Sequence, residues 1–319
     1  MEEGHTKERL KALQSLPLER KVGFTVARLC EWYNHYDGNV YVSFSGGKDS
    51  TVLLHIARNI FPDIKAMFVD TGLEFPEIKE FVKSQHNVDI RRPKMNFKQV
   101  IEKYGFPVIS KEVAQKISEA RSNPNSVVAQ FFDPESEKSK CYSGRYCLAR
   151  YKYLLDSDFK ISAKCCDVMK KKPAREYEKE TGFYPIVATM TEESRMRETQ
   201  WIRQGCNTFD SRRPISHPMS FWTEQDVLEY IKLKDIPIAP VYGEIIGDKE
   251  HGFRTTGYRR TGCVFCLFGI RMDKTPNRIQ RLGVTHPKLY EFCMEKLGMR
   301  ELLDFINIPY NPTLEEKQK

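Results

Sequence analysis

The chain has 319 residues, 40% of them hydrophobic, so a sizeable core can be buried, and its formal net charge is +8. A membrane span needs about 20 consecutive apolar residues; none is found, and "MEEGHTKERL" lacks a secretory apolar core, so a cytoplasmic protein without a membrane partner is expected. Nine cysteines in a reducing compartment point to metal or redox chemistry before disulfides, and the basic balance suits a nucleotide or nucleic-acid partner as well as a hydrated enzyme surface.

Residues 6–36 carry helical periodicity broken near Pro17, which gives an N-terminal helical region, 1–36. A strand over Val40–Phe44 leads into a glycine turn and then a helix with Leu53, Ile56, Ala57 and Ile60 on one face. A second strand, Ile64–Val69, ends in "DTGLEFPE", where Pro76 suits the first turn of the next helix. "NVDIRRP" reads as a third strand, residues 122–145 as an irregular insertion, and "YPIVAT" as another strand before a polar helix from about Glu192. "FWTEQDVLEYIKLKDIP" is a helix with Thr223 as N-cap and Pro237 beyond its end. Strands alternating with helices predict an α/β fold with a doubly wound parallel sheet over 37–232. Residues 233–319, rich in Gly, Arg and Cys, are expected to form an irregular appendage that closes over the sheet and completes the site.

The turn reads "FSGGKDSTV". In an open parallel sheet, ligands bind beyond the carboxyl ends of the strands. A strand, a glycine turn and a helix start present backbone N–H groups to an anion such as phosphate. Gly46 and Gly47 permit close approach, Lys48 adds charge, and Ser45, Ser50 and Thr51 add hydroxyls. The spacing is neither that of a Walker A loop nor that of the dinucleotide fingerprint.

"SFSGGKDSTVLLH" resembles the PP-loop of the ATP pyrophosphatases, and "FVDTGLEFPE" is similar to the second signature of the phosphoadenosine-phosphosulfate (PAPS) reductase family. "TMTEESRMR" resembles that family's Glu-Ser-x-x-Arg segment, and "GYRRTGCVFC" its C-terminal cysteine segment. The resemblance implies a Rossmann-like PP-loop fold and cleavage of ATP between its α and β phosphates. It makes Ser45, Gly46, Gly47, Lys48, Asp49, Ser50, Thr51, Asp70 and Arg197 the nucleotide-binding residues, with Lys48, Asp49, Ser50 and Arg197 catalytic. Asp49 is expected to assist Mg²⁺ or the geometry of the loop. Three departures point from sulfonucleotide reduction towards use of ATP itself. The loop keeps its lysine, the chain ends "NIPYNPTLEEKQK" with no cysteine after Cys293, and Met190 stands where the family has an arginine.

Cys165 and Cys166 are adjacent, and Cys263 and Cys266 form a C-x-x-C pair. Four such thiols suit an iron–sulfur cluster or a zinc ion, and buried unlinked thiols are the plain alternative. The pattern also resembles the ligands of the 4Fe–4S cluster in adenylyl-sulfate (APS) reductases, which implies that cluster here and leaves zinc second. Cys141, Cys147 and Cys206 are further candidates for sulfur transfer, each more simply structural. Lys170, Lys171, Lys172, Arg259 and Arg260 are basic residues beside the cysteine motifs, and Tyr142, Tyr146, Tyr151 and Tyr153 offer faces for base stacking.

The expected function is adenylation of a substrate oxygen by ATP, followed by sulfur transfer. Family analogy implies a DNA or tRNA acceptor and a cysteine desulfurase or other sulfur donor. A sulfonucleotide reductase and a non-catalytic nucleotide-sensing subunit are the alternatives.

Overall fold

The computed structural model describes residues 4–140 and 148–315. Among the described residues there are ten strands, the first five separated by helices: β1 Val40–Ser43, β2 Lys65–Val69, β3 Val88–Arg91, β4 Val108–Ile109, β5 Tyr184–Ile186, β6 Asn207–Thr208, β7 Ile215–Ser216, β8 Ile245–Asp248, β9 Gly252–Thr255 and β10 Leu267–Phe268. The chain packs as two compact units, each assembled from separated stretches. The first comprises residues 1–70, 74–92 and 173–261; the second comprises 71–73, 93–172 and 262–319.

The first unit is built on a six-stranded sheet in the order β3-β2-β1-β5-β7-β6. All neighbours are parallel except β6, which runs antiparallel to β7. Val40, Tyr41 and Val42 of β1 are fully buried, as the continuous apolar run of a central parallel strand requires. Tyr41, Met67 and Tyr177 form a buried cluster beneath it, and the Tyr41 hydroxyl donates to Glu178, which also pairs with Arg213. The helix Lys48–Ile60 follows β1 and packs Leu53, Ile56 and Ala57 inward, as their helical spacing predicts.

The N-terminal helices run Lys7–Gln14 and Leu18–His35, with the break at Pro17. Helix Leu18–His35 is tied to helix Glu224–Lys234 by a buried ion pair, Lys21 Nζ to Asp226 Oδ2 at 2.6 Å. Asp226 in turn accepts from the Thr223 amide and hydroxyl in a capping box, so one carboxylate serves the cap and the inter-helix tie. Trp222 is fully buried and donates from Nε1 to Thr25.

The second unit is mainly helical, with a small parallel pair, β4 and β10. Arg121, on helix Lys111–Ser122, donates to the carbonyls of Leu154, Leu155, Ser157 and Phe159 and so holds a helical turn and its exit. The expected irregular insertion is partly helical, with turns at Val127–Gln130 and Glu137–Lys140. The C-terminal segment is more ordered than its composition suggests: helices cover Arg278–Thr285, Pro287–Glu291 and Met299–Phe305. Arg278–Thr285 and Met299–Phe305 are a turn or two long and lie next to Pro or Gly, which hides their periodicity from a sequence window, whereas "LYEFCMEKLG" reads as helical and is covered by helical turns. Among the described residues, no helix is long and apolar enough to cross a membrane.

Candidate functional site

The glycine turn lies at the carboxyl end of β1. Gly46 has φ +71, and a Cβ there would come within 2.7 Å of Val82 Cγ2 and 2.8 Å of Ile78 Cγ2, so both the conformation and the space demand glycine. Gly47 is the N-cap of helix Lys48–Ile60 and brings no side chain to the cap. The Ser45 amide donates to Ser50 Oγ at 3.1 Å, while Ser50 Oγ and Thr51 Oγ1 donate to the Gly47 carbonyl at 2.9 and 3.0 Å. The hydroxyls of Ser50 and Thr51 therefore brace the loop. The Lys48 amide is capped by the Tyr242 hydroxyl at 3.2 Å, and that hydroxyl lies 2.6 Å from Thr261 Oγ1. Burial pushes the Tyr242 phenol up to about 12, so it stays protonated at neutral pH. Among the described residues, the amides of Asp49 and Ser50 find no acceptor, as in the first turn of any helix, where such amides can receive an anion.

Charged side chains converge on this turn. Lys48 is 3% exposed. Its ammonium lies 3.2 Å from Glu224 Oε1 and 3.0 Å from the Arg259 carbonyl. Arg259 returns to Glu224, donating from Nε to Oε2 at 2.7 Å and again from Nη2. Glu193 pairs with Arg197 and lies 3.7 Å from Arg260 Nη1. Burial pushes the Asp49 carboxyl above the usual carboxylate range, against the pull of Lys48, Arg260 and Arg197. Asp49 Oδ1 is buried without a hydrogen bond, and Lys48 Nζ lies 3.8 Å from it. An orphaned carboxylate oxygen beside a glycine turn and helix start fits a hard cation such as Mg²⁺, which takes one or two carboxylates and completes its shell with phosphate and water.

Lys48, Asp49 and Arg197 thus share one electrostatic neighbourhood. Asp70, at the end of β2, lies 2.8 Å from Lys79 Nζ and 3.3 Å from Arg92 Nε. Four residues absent from the sequence-derived set also belong here: Glu193, Glu224, Tyr242 and Thr261. Glu224 and Tyr242 carry a faint signal, a carboxylate just after an N-cap and a tyrosine beside Gly243, but only long-range packing brings them to Lys48. His217 sits beyond β7 with Nδ1 2.5 Å from Thr189 Oγ1, while Nε2 is buried without a partner. Burial, then Arg197 and Arg213, lower its imidazole to about 4.

Cys165, Cys166, Cys263 and Cys266 all lie in the second unit. The Cys266 amide donates to the Cys263 carbonyl at 3.0 Å, closing the C-x-x-C turn, and Arg278 donates to the Cys266 carbonyl at 3.4 Å. Burial, then the neighbouring Cys166, Cys263 and Cys266, push the Cys165 thiol up. The four thiols are close enough to influence one another. Even so, among the described residues no three His, Cys, Asp or Glu side chains are arranged to hold a metal ion. An all-sulfur donor set with Lys170 and Arg278 nearby suits an anionic thiolate centre chemically, without being closed around one. Cys206 is buried and accepts from Trp201 Nε1, a structural role. Cys141, Cys147, Tyr142 and Tyr146 lie outside the described residues.

Residues 39–267 match the phosphoadenosine phosphosulfate reductase domain. The chain belongs to this family. An uncharacterized protein of Methanocaldococcus jannaschii is 25% identical over 88% of the chain, which spans only 53% of that protein. Sulfate adenylyltransferase subunit 2 of Vibrio atlanticus is 26% identical, covering 71% of this chain and 76% of its own length. The adenosine 5'-phosphosulfate reductase of Staphylococcus epidermidis is 21% identical, covering 79% of this chain and 80% of its own. Two of these three relatives are named as enzymes, and the Glu-Ser-x-x-Arg segment and the C-x-x-C of this chain both fall inside the matched region.

Proposed function

We propose that this protein is an ATP pyrophosphatase that adenylates an acceptor. The observation that carries the reading is the complete Ser-Gly-Gly-Lys-Asp-Ser turn at the β1–helix junction, with the Asp49 and Ser50 amides unengaged beside the Lys48 ammonium. The acceptor oxygen attacks the α-phosphorus. A bond from that oxygen to phosphorus forms, the bond to the α–β bridging oxygen breaks, and its electron pair leaves with pyrophosphate. The loop amides and Lys48 hold the β and γ phosphates and stabilise the charge that gathers on the leaving group. Arg197 steadies a phosphate of ATP or of the acceptor, and Asp49 would hold Mg²⁺, which supplies further charge neutralisation. Ser45, Gly46, Gly47, Ser50 and Thr51 keep the cradle's shape, and Asp70 orders the neighbouring strand end through Lys79 and Arg92.

The likeness to a sulfate adenylyltransferase subunit supports adenylation and brings sulfate oxygen alongside nucleic-acid oxygen as acceptor. Cys165, Cys166, Cys263 and Cys266 would hold a 4Fe–4S cluster, or zinc in its place; the cluster would supply a compact centre of charge and redox capacity. The cysteine pattern resembles that of APS reductases, and the likeness to one such enzyme supports sulfonucleotide reduction as the second reading. The deciding experiment incubates anaerobically prepared protein with α-labelled ATP and, separately, sulfate, DNA and a tRNA pool. Adenylation releases pyrophosphate and moves label to one acceptor. Orthophosphate as the first product, or turnover of APS without ATP, would replace it with another reading.

A further inference from the structure

The ammonium that the proposed reaction relies on does not stand alone. Lys48 Nζ has three N–H donors. One is directed to Glu224 Oε1 at 3.2 Å and one to the Arg259 carbonyl at 3.0 Å. Glu224 is 8% exposed, occupies the first turn of helix Glu224–Lys234, and receives Arg259 on its other oxygen. Its own amide donates to Glu192 Oε2 at 2.8 Å, so the start of that helix is fixed on both sides. Against the opposing effect of burial, Arg259 and then Lys48 hold the Glu224 carboxyl below the usual carboxylate range, so it is fully ionised at neutral pH. A negative charge is therefore built into the floor of an anion cradle.

We infer that Glu224 is a positioning residue that acts through Lys48. It aims the third N–H at the phosphates while partly cancelling the lysine charge, so that pyrophosphate is held loosely enough to leave. The inference deepens the ATP reading and rests on it. A carboxylate placed to support the lysine alone would weaken phosphate binding when lost. A carboxylate that moderates the lysine would strengthen it, because removing a like charge from beside an anion removes repulsion. The two roles predict opposite signs.

The test is calorimetric titration of inorganic pyrophosphate and ATP into the full chain, with inhibition of ATP turnover by added pyrophosphate as a second readout. Glu224→Gln keeps the side-chain volume and one acceptor but removes the charge, and should bind pyrophosphate roughly three- to tenfold more tightly. KM for ATP should fall with it, and kcat should fall as product release slows. Glu224→Asp draws the carboxylate back by one methylene and should lie between Gln and wild type, which keeps the order measurable if Glu224→Gln folds poorly. Affinity that runs Glu, Asp, Gln from tightest to weakest would overturn the inference and leave ATP binding intact. Wild-type protein that binds neither pyrophosphate nor ATP would overturn both.

Discussion

The loop that begins the helix Lys48–Ile60 and the segment that carries the C-x-x-C pair are both short, glycine-bearing turns rich in functional groups, yet they are finished to different degrees. In the first, backbone and side chains are already cross-braced: Ser50 and Thr51 on Gly47, Tyr242 on Lys48, Glu224 on Lys48 and Arg259. In the second, four thiols feel one another but do not close on a common point among the described residues. The contrast suits the ligands proposed for the two turns. Phosphate is recognised by amides and a helix end, which exist as soon as the secondary structure does. Buried thiols hold their protons, and thiolates repel one another, so metal binding at such a set is coupled to release of those protons.

The largest expected effect breaks the loop. Lys48→Ala should slow pyrophosphate release by about 10²-fold or more, the cost of one strong charge-stabilising donor. An unchanged rate would remove the loop from the chemistry. In the other region, anaerobically prepared protein should be brown and carry about four irons per chain on the cluster reading, and Cys166→Ser should lose the colour. A colourless protein with one zinc would keep the four-thiol reading and change its occupant.

The comparison sharpens with glycines. Gly46→Ala forces a Cβ into Val82 and Ile78 at φ +71, and should lower stability by on the order of 1–3 kcal/mol in urea unfolding. Gly262→Ala, just before the C-x-x-C, meets nothing within 4 Å and should change stability by less than about 0.5 kcal/mol. Equal effects would mean that both turns are equally preformed.

A gentler probe is pH. The His217 imidazole sits at about 4 in the fold, against 6.5 ordinarily. Between these values the unfolded chain takes up a proton that the folded chain refuses. Stability from this group is complete above about pH 6.5 and falls as pH drops towards 4, by at most about 3 kcal/mol. His217→Asn should flatten that stretch of the melting-temperature profile, and an unaltered profile would show that other groups govern it.

Much of this was legible in the sequence because it is local. β1, the turn, the following helix with its inward Leu53, Ile56 and Ala57, and the Thr223 cap depend on a few neighbouring residues. What was not legible depends on chain separation. Tyr242 reaches Lys48 across 194 positions, and Arg259 reaches it across 211; neither distance leaves a periodic trace. The interleaving of the two units is hidden for the same reason, since residues 93–172 interrupt the first unit without a shift in composition that marks the boundary. In the C-terminal region the helical stretch "LYEFCMEKLG" is legible and helical turns cover it, whereas Arg278–Thr285 and Met299–Phe305 escaped because each is short and lies next to Pro or Gly.

The buried Lys21–Asp226 pair has a consequence for handling the protein as well as for its stability. Asp226 lies two residues beyond Glu224 on the same helix turn, so the N-terminal helix Leu18–His35 stands in mechanical series with the residue that steadies Lys48. Loss of that helix removes Lys21 from Asp226, in the same helical turn as Glu224. Trimming the first helices as though they were a handle would strand a buried carboxylate at the cap and detune a lysine elsewhere in the fold.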